Sequence, residues 1–136
     1  MADSPWKRIR NICTLASGRV SDGSTPRFLQ GPFDFEGNGL DKPLLIDESL
    51  RYVVPAGCVT QPVYFRGGNS TNELICVLLV CDGRPMRYFP IAAKGDVHVP
   101  LRVVEDLDSG TTLELHLVAP EGITGTAVVD LGLVEV

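Results

Sequence analysis

The sequence predicts an all-β chain folded as an antiparallel β-sandwich of about eight to ten short strands, with little helix. Three observations carry that expectation. Residues 73–93 read as two apolar runs, ELICVLLVCD and MRYFPIAA, joined through Asp82-Gly83. Asp-Gly between such runs is a strong hairpin signal, because Gly accepts φ > 0 without steric cost. Residues 111–118 alternate cleanly, with Leu113, Leu115 and Leu117 on one face and Glu114 and His116 on the other, as in a strand with one wet face. Turn residues recur roughly every 8–12 positions, and no stretch makes a convincing amphipathic helix of three turns.

The elements follow in chain order. Residues 1–10 read as a loose leader; Trp6, the one tryptophan, either anchors at the core edge or serves as a binding platform. Residues 11–16 (NICTLA) alternate as a short strand, and 17–26 form a loop punctuated by Gly18, Asp22-Gly23 and Pro26. Residues 27–30 extend briefly, and 33–36 form an edge strand that ends at the turn Gly37-Asn38-Gly39. After the apolar run 44–46, Asp47-Glu48-Ser49 caps one helical turn. Residues 50–54 are a strand closed by Pro55-Ala56-Gly57. Residues 58–66 form a strand broken or bulged at Pro62, since Pro cannot donate to a ladder. Residues 67–72 (GGNSTN) form a mobile loop, followed by the central hairpin, which is placed as the inner pair of the sandwich. Lys94-Gly95-Asp96 turns the chain into 97–104, where Val97, Val99 and Leu101 share one face and His98, Pro100 and Arg102 the other. Turns at 106–110 and 119–122 bracket the alternating strand, and 124–136 is a long last strand with a bulge at Gly132.

At 136 residues the chain fits a single domain that buries a core without disulfide or metal staples. Apolar residues make up 44 % and charged residues 21 %. That balance fits either two dry sheets rich in Val and Leu, or a surface used in a homo-oligomer or larger complex. The net charge of −5, with only Lys7-Arg8-Ile9-Arg10 as a short basic stretch, argues against nucleic acid as a partner. No apolar run approaches the roughly 20 residues of a membrane helix, so no membrane partner is expected. No apolar region follows the basic N-terminus, so a cytoplasmic protein with reduced Cys13, Cys58, Cys76 and Cys81 is expected, or a secreted one if a signal has been removed.

Chemistry-bearing constellations are sparse. His98 and His116 lie on outward positions of neighbouring predicted strands, and a hairpin turning near Asp108 would place them nearly opposite, with Glu114 as a third metal ligand. Two solvated strand histidines are the plainer reading. Cys76 and Cys81 are five apart on a strand, so they face opposite sides as packing thiols, and no His in the neighbouring sequence supports a cysteine nucleophile. Gly67-Gly68-Asn69 lacks the Lys-Ser/Thr and helix of a phosphate loop. Asp130 falls inside the apolar run VVDLGLV, where a carboxylate must be hydrogen-bonded or paired; tying down a loop is preferred over holding calcium. No catalytic constellation, and so no enzyme and no cofactor, is expected.

Residues 52–57 (YVVPAG), 63–66 with the polar loop and the hairpin 73–84, and 110–117 and 125–134 with Asp130 together resemble the galactose-binding-like jelly rolls, which include many non-catalytic carbohydrate-binding modules. The resemblance covers residues 50–136 and implies a jelly-roll sandwich that binds glycans. Two features of those modules are missing: a Glu-rich first strand holding calcium, and exposed tryptophans for stacking on sugars. The expected function is a non-catalytic, glycan-binding module using the loops 17–26, 36–42 and 66–73, with Tyr64, Arg66, Asn69 and Asn72 as contacts. The alternatives are a structural or accessory subunit that self-associates or joins a protein partner, and a metal-dependent enzyme built on His98, Glu114 and His116.

Overall fold

Nine strands and one 3-10 turn make up the regular structure of residues 24–103 and 105–136, which the computed structural model of the chain describes. The leader with Trp6, Cys13, the strand expected at 11–16, most of the loop at 17–26 and Val104 lie outside those residues. The strands are β1 (Thr25–Glu36), β2 (Gly39–Leu45), β3 (Arg51–Val53), β4 (Thr60–Asn69), β5 (Ile75–Cys81), β6 (Arg84–Ile91), β7 (Asp96–Pro100), β8 (Thr112–Ala119) and β9 (Thr124–Glu135). All pairings are antiparallel. One sheet runs β1-β9-β4-β7 and the other β2-β8-β5-β6, with β3 following β2 along the same edge of β8. This interleaved order is that of a jelly roll, two Greek keys closed face to face.

The core lies between the sheets, and alternation decides who enters it. Leu29, Phe65, Val129, Leu131 and Leu133 point in from one sheet; Val77, Leu79, Phe89, Leu113, Leu115 and Leu117 meet them from the other. Phe65 and Phe89 stack across the layers with ring centroids 4.2 Å apart and planes 9° from parallel. Gly67 makes room for them: a Cβ there would stand 2.8 Å from both the Phe65 ring and Ile91 Cδ1.

The hairpin forms as its sequence predicts. Cys81 pairs with Arg84 around Asp82 (φ 49°) and Gly83 (φ 81°), the two positive-φ residues of a type I′ turn. Asp82 also accepts the Thr112 N–H at 2.9 Å. The hairpin is not the inner pair, however. β5 is internal, but β6 is the sheet edge. Pro85 and Pro90 on β6 suit that place, because an edge strand can spare N–H donors. The single helical turn also forms: Asp47 accepts from Ser49 N and Oγ, and Leu50 drops into the core.

Other expectations change. The pieces at 27–30 and 33–36 are one twelve-residue edge strand, β1. Residues 67–69 are not a mobile loop but the buried end of β4, since Gly67 and Asn69 continue the inward parity of Phe65. The bulge sits on β4 between Pro62 and Tyr64, opposite Gly132, rather than on the last strand. The strand expected at 97–104 stops at Pro100. The connection that follows buries Leu107 and binds it to Thr60 through two 2.9 Å backbone hydrogen bonds, so β7 and β8 enter opposite sheets instead of forming a hairpin.

A polar clasp joins the layers near the start of β1. Tyr52 on β3 donates to buried Glu135 on β9 and shares a 2.7 Å hydrogen bond with Thr60, while Arg27 Nε lies 3.3 Å from Glu135. Burial, and then the neighbouring Glu135, push the Tyr52 phenol up to about 12. A raised phenol stabilises the fold below the ordinary value of 10, and that contribution is lost as the pH climbs from 10 to about 12. The alkaline fall in melting temperature across this window is therefore smaller in Tyr52→Phe than in wild type; equal falls contradict the clasp. In the core, Leu79→Ala lowers unfolding free energy by about 2–5 kcal/mol in urea titration, whereas Leu74→Ala, at an exposed position, stays within about 0.5 kcal/mol.

Candidate functional site

The outer face of the β1-β9-β4-β7 sheet brings together four of the sequence-predicted site residues, Tyr64, Arg66, His98 and Asp130. Its layout follows from the bulge. Pro62 pairs with Leu133, Val63 is the extra residue, and Tyr64 pairs with Gly132. The shift by one turns Phe65 into the core and sends Tyr64 and Arg66 outward. On β9 the same parity presents Val128, Asp130 and Gly132, and on β7 it presents Asp96, His98 and Pro100.

The Tyr64 ring lies over Gly132, where an added Cβ would stand 2.0 Å from Tyr64 Cε2. Glycine here leaves the space an aromatic neighbour fills. The Tyr64 hydroxyl donates to Asp130 Oδ1 at 3.0 Å, and Arg66 Nη2 donates to Asp130 Oδ2 at 2.9 Å. The Arg66 guanidinium carbon sits 5.2 Å from the centre of the Tyr64 ring, and the His98 ring meets Tyr64 edge-on at 6.3 Å. Burial, followed by the Asp130 bond, raises the Tyr64 phenol; the Asp130 bond leads the causes that raise Arg66. Tyr64 thus stays neutral and Arg66 charged. The Arg66 side chain is 56 % exposed, and Asp130 19 %. Arg66, Gly68, Asp96, His98, Val128 and Asp130 rim a shallow depression of about 470 Å³.

The other predicted residues lie elsewhere. Asn69 is turned inward and fully engaged. Its amide donates to the carbonyls of Glu73, Ile91 and Ala92, and its oxygen accepts from Thr71 N and Oγ1. It locks the 70–74 loop from inside rather than facing a ligand. Asn72 is exposed in that loop, beyond the end of β4. The metal grouping of His98, Glu114 and His116 is split. His98 is on β7, while Glu114 and His116 are on the outer face of the opposite sheet, where Glu114 meets His116 Nε2 at 3.0 Å and Arg51 Nε at 2.6 Å. Those two partners, His116 first, hold Glu114 below the usual carboxylate range. Asp130 does not tie down a loop; it pairs with Arg66 and Tyr64 on the face of the sheet. Among the described residues, no three His, Cys, Asp or Glu side chains converge as metal ligands.

Sequence reading missed Asp96, Val128 and Gly132. The signal was the parity of the last strand, in which Val128, Asp130 and Gly132 must share one face. The pairing of β9 with β4, joining residues 58 to 75 positions apart, was what sequence could not supply.

No family model and no curated protein matches the chain. Among solved structures, it is similar to infectious bursal virus derived T=1 particles (14 % identity, TM-score 0.45, covering 85 % of this chain and 32 % of that one). It is also similar to the T13 IBDV viral particle (13 %, TM-score 0.47, 86 % and 32 %). A third is the exo-β-1,3-galactanase of Phanerochaete chrysosporium with galactose (13 %, TM-score 0.37, 89 % and 31 %). The chain spans about a third of the length of each of these structures. At such scores the likeness has no bearing on activity, and the jelly-roll assignment stands on strand order.

Proposed function

We propose that this domain is a non-catalytic binding module that takes a neutral, polyhydroxylated ligand, a glycan, on the outer face of the β1-β9-β4-β7 sheet. The observation behind this reading is the Tyr64, Arg66 and Asp130 triad laid flat on that face. A sugar presents vicinal hydroxyls that both donate and accept, and a patch of C–H groups. Arg66 supplies donors in a fixed plane, Asp130 supplies acceptors beside them, and the Tyr64 ring supplies an apolar surface. The charge balance favours a neutral ligand. Arg66 is already ion-paired, and Asp96 adds a second carboxylate to the rim, so an anion would meet net repulsion.

Isothermal titration with galactose, glucose, lactose and cellobiose tests the reading. Saturable binding to at least one of them is expected. Tyr64→Ala and Arg66→Ala each weaken it by about tenfold or more, equivalent to about 1.4 kcal/mol, with the strand circular dichroism retained, and Asn72→Ala leaves it unaltered. The absence of saturable binding across the panel, or affinity indifferent to Tyr64 and Arg66, removes the proposal.

One observation favours a second reading, a subunit that self-associates. Phe28 and Val128 flank the triad on the same face and are 53 % and 52 % exposed. A flat face with two such side chains also suits a second copy. Light scattering that shows a dimer or larger species, abolished by Phe28→Asp, would select this reading.

A further inference from the structure

β6 is the edge of one sheet and β7 the edge of the other, and the two strands face each other across a cleft of about 370 Å³. The floor of the cleft is apolar. Phe89 on β6, Val99 on β7 and Leu101 just beyond it all pack against the main core. Tyr88 and Pro90 form one rim, and Pro100, Arg102 and Val103 the other. Tyr88 is 63 % exposed and Val103 71 %. Singly, such residues are ordinary on a surface; grouped along a groove, they mark a docking site.

The two edges resist a continuous added strand. On β6, Pro85, Tyr88 and Pro90 pair with Val80, Leu78 and Cys76, which alternate along β5. Proline has no N–H for the ladder, so this set of positions turns its backbone away from β5, and of the three only Tyr88 has an N–H to offer there. On β7, Leu101 N donates to the Val63 carbonyl at 2.9 Å and the Gly95 carbonyl accepts from Asn69 N at 3.0 Å. The odd-numbered residues therefore face β4, and Asp96, His98 and Pro100 face the free edge. Three prolines interrupt the two edges. An occupant gains isolated main-chain hydrogen bonds and is selected by its side chains.

Charge decides which side chains fit. Arg27, Arg51, Arg66 and Arg87 are ion-paired. The other Lys and Arg among the described residues are Lys42, Arg84, Lys94 and Arg102, and none of them forms an ion pair with a described residue. All but Lys42 gather on this side: Arg84 opens β6, Lys94 sits in the turn from β6 to β7, and Arg102 lines the cleft. Arg87, which also lines it, holds the Glu105 carboxylate. Of the nearby acids, Asp82 is engaged by the Thr112 N–H, and Asp96 belongs to the outer face of the β7 sheet. We propose that the cleft docks an extended acidic peptide of another protein, which lays aliphatic side chains on Phe89, Val99 and Leu101 and turns carboxylates toward Arg102 and its neighbouring cations. A nucleic acid or an acidic polysaccharide matches the charge but leaves the apolar floor unfilled, and a bilayer surface is too flat to enter a cleft between two edges. The site is separate from the Tyr64 face and stands whether or not that face takes a glycan.

Fluorescence anisotropy tests this, with the full chain titrated into a short labelled peptide of alternating Glu and Leu. Two control peptides carry Lys in place of Glu, or Ser in place of Leu. Saturable binding of the Glu-Leu peptide alone is expected, and it weakens as salt is raised. Tyr88→Ala and Arg102→Glu, both at exposed positions, each weaken it by about tenfold or more with the strand circular dichroism retained. Lys42→Glu makes the same charge change on β2, at the opposite edge of the sheet from β6, and leaves binding unaltered. Equal binding of either control peptide, affinity indifferent to Tyr88 and Arg102, or no saturable binding overturns the proposal. So does displacement of the peptide by heparin, or a preference for phosphatidylserine vesicles over the peptide, which would make an anionic polymer or a membrane the occupant.

Discussion

Phe65 has to be buried, and the surface this sandwich displays follows from how the chain achieves that. Without the bulge, with Val63 paired to Gly132 in a regular ladder, β4 would pair Tyr64 with Leu131 and turn it into the core. Val63 inserts one residue opposite the ladder, so Phe65 pairs with Leu131 and stacks on Phe89, while Tyr64 swings out over Gly132. A strand has only two faces; the same bulge that completes the core therefore sets Arg66 beside Asp130. Core packing and site geometry share one cause, and neither can be altered at the bulge without altering the other.

The strand β9 is the platform for both effects. It lies between β1 and β4, it contributes Val129, Leu131 and Leu133 to the core, and it presents Asp130 outward between them. Glu135 at its end clasps Tyr52 of the opposite sheet and Arg27 of β1. The triad thus rests on an internal strand held on both sides and at its end, which suits a preorganised binding surface better than a loop would. Residues 67–72 were expected to be a mobile loop; the first three end β4, and the 70–74 loop beyond them is fastened by Asn69 and Thr71 from within, which leaves the sheet face as the candidate for ligand contact.

Much of the fold was legible because local patterns and the final structure agree. Asp82-Gly83 announced its type I′ turn, Asp47 its cap, and Leu113, Leu115 and Leu117 their inward face. Pro62 announced a disturbance in β4, and the bulge lies beside it. What failed was long-range. His98 and His116 looked like hairpin partners because they are near in sequence, but Leu107 binds to Thr60 and sends β7 and β8 to opposite sheets. The hairpin seemed central because β5 is so apolar, whereas part of that apolarity, Leu78 and Val80, points away from the core. Of the four expected contacts, Tyr64 and Arg66 lie together on the sheet face beside Asp130; Asn69 was misplaced because a polar residue after two glycines reads as a loop, although parity turns it inward.

The most direct measurement is a backbone amide shift map of the full chain titrated with lactose and cellobiose. The account predicts changes concentrated on the middle of β4, on β9 around Asp130 and on β7 around His98, with β5 and β8 silent. Changes confined to the β5 and β8 face or to the 70–74 loop, or none at saturating sugar, would contradict it.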